Sequence, residues 1–109
     1  MSKIYTIDEI RDIIVPIAKE YDLKTVYLFG SYARGEADAK SDVDIRLEGA
    51  RCLRDELALC SIIPDTLGKE VDIVFTEDLR KSLDDPKVRF FVQHMRKSEV
   101  LLYERVSDQ

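Results

Sequence analysis

Asp42 and Asp44 stand two residues apart at the head of an alternating segment, Val43-Asp44-Ile45-Arg46-Leu47-Glu48. In a strand, side chains two apart share a face, so this spacing directs both carboxylates to one side and Val43, Ile45 and Leu47 to the other. Adjacent carboxylates repel each other unless a cation lies between them. Such a pair suits magnesium, which binds through one or two carboxylates and completes its shell with substrate phosphates. Upstream, Gly30-Ser31-Tyr32-Ala33-Arg34-Gly35 follows the apolar run Thr25-Val26-Tyr27-Leu28-Phe29. Glycine lets backbone amides approach a phosphate closely, and the Ser31 hydroxyl adds a donor. Asp72 alternates outward in Val71-Asp72-Ile73-Val74-Phe75. If that strand lies beside the first acidic one, three carboxylates converge. A phosphate cradle next to a metal pair is the layout for nucleotidyl or phosphoryl transfer.

An Asp-x-Asp alone usually marks a solvated strand face. The combination with Gly30-Ser31, Ser41 and Asp72 is what gives it chemical meaning. Arg46 shares the acidic face of its strand and could bind phosphate or pair with a carboxylate. Arg34 and Lys40, taken singly, read as solvated cations. Cys52 and Cys60 lie eight apart on an expected helix and read as small buried hydrophobes. No group of residues has zinc spacing.

The elements that must position these residues are legible from periodicity. Thr6-Ile7-Asp8-Glu9 has the form of a capping box. Ile10, Ile13, Ile14 and Ile17 follow at helical spacing, which predicts a helix over 7–21, with Pro16 expected to kink it or end its regular part. A buried strand is expected over 25–29, then a loop with one helical turn from Gly30 to Lys40, and a strand over 43–48. Residues 51–63 are expected to be helical with Leu53, Leu57 and Cys60 on one stripe, ending between Pro64 and Gly68. A third strand covers 70–75. Asp85-Pro86 reads as an N-cap followed by proline at the first helical position, opening a helix that carries Val88, Phe91, Val92 and Met95. Val100 to Tyr103 is either a short last strand or an extension of that helix. The order is that of an α/β protein: a small mixed sheet with helices packed on it.

A chain of 109 residues is expected to form one domain over 1–109, and its net charge of −5 disfavours nucleic acid as a partner, since neutralising phosphates takes clustered Lys and Arg. No apolar run approaches the ~20 residues that cross a bilayer. The start has no apolar targeting core, so a cytoplasmic chain with reduced thiols is expected.

Gly30-Ser31, Arg34-Gly35, Ser41-Asp42-x-Asp44 and the later Asp72 together resemble the nucleotidyltransferases of the DNA polymerase β superfamily, and the short chain resembles the minimal, antitoxin-type members. The resemblance spans about residues 5–103. It implies a polymerase β-like nucleotidyltransferase fold, with Asp42 and Asp44 holding two magnesium ions. Asp72 would help bind one metal and act as base toward the acceptor. Gly30 and Ser31 would bind the phosphates of a nucleoside triphosphate such as ATP, with Arg34 and Ser41 in the same nucleotide-binding segment. It further implies AMP transfer to a tyrosine of a HEPN-type toxin. Two other readings remain at this point: an antitoxin that acts by occlusion alone, and a drug-modifying nucleotidyltransferase of the aminoglycoside type. Arg89 and His94 reproduce the Arg-x4-His spacing of HEPN ribonucleases themselves. Those are all-helical, however, and residues five apart share a helical face poorly, so His94 reads as a surface or interface residue.

Overall fold

A computed structural model describes residues 3–106. The first helix, α1, runs over Ile7–Glu20. Its capping box is formed: the Thr6 hydroxyl accepts from the Glu9 amide at 3.0 Å and the Glu9 carboxylate accepts from the Thr6 amide at 2.9 Å. Ile10, Ile14 and Ile17 are buried. Pro16 does not end the helix. The carbonyl it deprives of a donor belongs to Asp12, and both residues lie on the exposed side, where water can satisfy that group.

Strand β1 (Thr25–Phe29) leads directly into a short helix, α2 (Gly30–Arg34), and then through a loop into β2 (Val43–Glu48). Helix α3 covers Leu53–Leu67, β3 Val71–Phe75, α4 Thr76–Lys81, α5 Pro86–Ser98 and β4 Val100–Glu104. The four strands form one sheet in the order β3-β2-β1-β4. β1 pairs antiparallel with both β2 and β4, and β2 pairs parallel with β3. Val100 to Glu104 is thus a strand, as one of the two sequence readings had it.

The pleat divides the sheet into two unlike faces. Val26, Leu28, Val43, Ile45 and Leu47 point to one side and pack with α1 and α3 into the hydrophobic core. The paired residues Tyr27 and Arg46, and Phe29 and Asp44, point to the other. That polar face is crossed by α4 and α5. Arg46 is 8% exposed there, and its guanidinium donates to both Glu99 carboxylate oxygens at 3.0 Å and to the Thr76 hydroxyl at 3.0 Å. It also lies 4.2 Å over the Tyr27 ring. Of the two roles the sequence left open for Arg46, the structure shows the ion pair.

Two helical stripes differ from expectation. In α3 the buried residues are Leu59, Ile63 and Leu67, whereas Leu53 and Leu57 are 68% and 64% exposed. Both stripes have the same i, i+4 period, so periodicity alone cannot choose between them. The helix also runs through Pro64 to a Gly68 cap at φ +67°, which completes the Leu59–Ile63–Leu67 stripe that an end at residue 63 would have cut short. Pro64 is tolerated because the carbonyl it leaves unbonded is that of Cys60, an exposed residue. Cys52 and Cys60 are accordingly exposed thiols and not buried hydrophobes. In α5, opened by Asp85 accepting from the Lys87 amide at 2.9 Å, only Met95 of the expected apolar stripe is buried. Phe90 and Phe91 are 64% and 39% exposed.

Candidate active site

Asp44 is the second residue of β2 and Asp72 the second residue of β3, and the parallel register sets them directly opposite each other. Residues opposite in register share a face, so their carboxylates stand side by side on the polar face of the sheet. On the other flank of Asp44 the register places Phe29, the last residue of β1. The next residue, Gly30, turns the chain away at φ +74°. A side chain there is excluded twice over. The left-handed backbone disfavours it, and a Cβ would fall 2.9 Å from the Asp44 carboxyl carbon. The space at position 30 is therefore occupied by the carboxylate of Asp44.

The electrostatics follow from this crowding. The Asp44 carboxyl is pushed up to about 6. Burial contributes most, then the charge of Asp72 and a hydrogen bond with it, then the charge of Asp42, while Arg34 opposes the rise. Asp42 precedes β2, is exposed, and lies in the loop that also holds Ser41. Among the described residues, no three His, Cys, Asp or Glu side chains stand together as a ready metal cage. What is present is a carboxylate pair with a third negative charge in reach. That donor set fits magnesium, which prefers one or two carboxylates and takes the rest of its shell from water and phosphate oxygens.

The remaining sequence candidates fall around this pair. Ser31 is in the first turn of α2, and its carbonyl accepts from the Glu36 amide at 2.9 Å. No side chain caps the N-terminus of α2, so its first amides have no side-chain acceptor. Arg34 is exposed and pairs with Glu36 at 2.9 Å. The Ser41 hydroxyl accepts from the Asp38 amide at 2.9 Å and donates to the Asp38 carboxylate at 3.2 Å, which fixes the loop before Asp42. Beside Gly30 opens a recess of about 220 Å³ walled by Phe29, Phe91, His94, Met95 and Ser98. Its walls come from segments some sixty residues apart, so no local sequence pattern points to it.

The mixed sheet sets the carboxylate pair beside a glycine-led turn, the arrangement that the sequence resemblance to nucleotidyltransferases implies. Residues 12–108 match the family Polymerase beta, Nucleotidyltransferase, and the chain belongs to it. More particularly, it is 33% identical over 84 residues to the protein adenylyltransferase MntA of Thermococcus cleftensis, covering 72% of this chain and 85% of that one. It is 37% identical over 81 residues to a Methanocaldococcus jannaschii protein that carries the provisional name protein adenylyltransferase, covering 72% of this chain and 87% of the relative. Among solved structures, a toxin–antitoxin crystallised with AMP-PNP superimposes with a TM-score of 0.66 at 23% identity, over 87% of this chain and 73% of that one. A complex of a tri-AMPylated Shewanella oneidensis HEPN toxin with its MNT antitoxin gives 0.62 at 18%, over 92% and 74%. These two likenesses establish the fold.

Proposed function

We propose that this nucleotidyltransferase is a magnesium-dependent protein adenylyltransferase that moves AMP from ATP to a tyrosine hydroxyl of a HEPN-type toxin and thereby acts as its antitoxin. The observation that carries the reading is the in-register pair Asp44 and Asp72 beside Gly30. Two carboxylates held together at this cost in repulsion have a use when positive charge and a triphosphate arrive between them. The names of the adenylyltransferase relatives support AMP as the group moved. The recurrence of the fold in antitoxins supports the partner.

Each residue then has a part. Gly30 and Ser31 present backbone amides and a hydroxyl to the phosphates, and Arg34 faces the same negative charge. Asp42, Asp44 and Asp72 would hold magnesium, two ions by family resemblance, which when bound offsets the triphosphate charge and that of the departing pyrophosphate. The tyrosine oxygen forms a bond to the α-phosphorus as the bond from that phosphorus to the pyrophosphate oxygen breaks. Asp72, the exposed member of the pair, takes the phenolic proton. Ser41 holds the loop that presents Asp42.

Calorimetry with magnesium and a non-hydrolysable ATP analogue tests the site. Wild type should bind the analogue in a magnesium-dependent way, and a variant with both Asp42→Asn and Asp44→Asn should not. Undiminished magnesium-dependent binding by that variant refutes the metal assignment.

A further inference from the structure

We propose that the recess between the end of β1, α2 and the C-terminal half of α5 receives the base of the nucleoside triphosphate, with Phe91 and His94 as the residues that contact it. This rests on the nucleotidyltransferase reading and specifies where the part of the substrate remote from the chemistry is held.

Continuity is the first reason. Gly30 lines the recess and is also the residue whose missing side chain makes room for the Asp44 carboxylate. Arg34 lines it too. A substrate whose phosphates lie at Gly30 and the carboxylate pair has its other end at the mouth of this recess.

The walls are the second reason. Phe29, Phe91 and Met95 make them mostly apolar, and His94 and Ser98 add a few polar groups that can meet the edge of a heteroaromatic ring. Apolar walls with a small number of placed polar groups are the usual make-up of a small-molecule site. Phe91 meets Phe29 edge-on, with ring centroids 5.9 Å apart and planes at 85°, yet remains 39% exposed. The sheet therefore leaves part of Phe91 uncovered, and a planar base can use it. At about 220 Å³ the recess suits a base and not a whole nucleotide.

Rigidity is the third. The wall is carried by α5, and Glu99, the residue that caps this helix, is bound through both carboxylate oxygens to the buried Arg46 of β2. The strand that bears Asp44 thus also fixes the helix that bears Phe91, His94 and Ser98.

The test compares ATP with inorganic tripolyphosphate, which has the phosphates and no base, each with magnesium. Phe91→Ala should weaken ATP about tenfold or more and leave tripolyphosphate unchanged, the loss of one base–aromatic contact. Ser98→Leu, which fills the recess, should do the same. Because the chain has no tryptophan, Phe91→Trp supplies a single reporter whose fluorescence ATP should quench and tripolyphosphate should not. Wild-type ATP affinity in both Phe91→Ala and Ser98→Leu overturns the proposal. So does a parallel loss of both ligands, which would show that these positions act through the fold. If wild type binds neither ligand, the nucleotide reading itself fails, and this inference with it.

Discussion

The Asp44 carboxylate occupies the volume that a side chain at Gly30 would need, so the first residue of α2 and the second residue of β2 are fitted to each other. Gly30→Ala should therefore cost stability twice, through the φ of +74° and through displacement of Asp44. The backbone part is about 1–2 kcal/mol. In an Asp44→Ala background the carboxyl clash is gone and only a 3.3 Å contact between the two Cβ atoms is left, so the cost should fall toward that backbone part. Chemical denaturation of the four proteins of the cycle measures the difference, and additive costs would show that the two positions do not meet.

The raised Asp44 carboxyl has a consequence for stability in the absence of metal. With its value near 6 against an ordinary 3.8, the folded state holds this proton more tightly than the unfolded chain does. Its contribution is therefore present below about pH 4 and is lost as the pH rises through 6. Asp44→Asn should then stabilise the protein in chelator at pH 7.5, by about 1 kcal/mol for a partly solvated group, and give no gain at pH 4. Thermal melts at the two pH values check this. A variant less stable than wild type at pH 7.5 contradicts it.

Arg46 and Glu99 have side chains only 10% and 13% exposed. Breaking a buried pair leaves one charge without its partner, so Glu99→Leu should cost about 3–5 kcal/mol. Joint replacement by Arg46→Met and Glu99→Leu should recover much of that loss. Urea titration of both single variants and of the double variant is the measurement, and a double variant that loses the sum of the two single costs would show that the pair is not coupled.

The sequence carried the strands well because alternation states both the element and its faces. Val43, Ile45 and Leu47 are buried, and Asp44 lies on the opposite face, as the pattern requires. The carboxylate pair was legible for the same reason once β3 was placed beside β2. Helix faces were harder. Leu53-Leu57 and Leu59-Ile63-Leu67 both obey the helical period, and the chain's packing, not its pattern, selects the second. Leu59→Ala should thus cost about 2–5 kcal/mol and Leu57→Ala less than about 0.5. Equal losses in denaturation would return the buried face to the first stripe. The recess by Phe91 was illegible because it exists only when residue 29 and residues 91–98 are brought together by the fold.

The most direct measurement is the intact mass of a HEPN-type partner after incubation with ATP, magnesium and this chain. Wild type should add one or more AMP units to a tyrosine, and Asp72→Asn should add almost none while still binding ATP, since a base acts on the acceptor and not on the triphosphate. Normal transfer by Asp72→Asn, or a wild type that neutralises the partner without ever changing its mass, would contradict adenylyl transfer at this site.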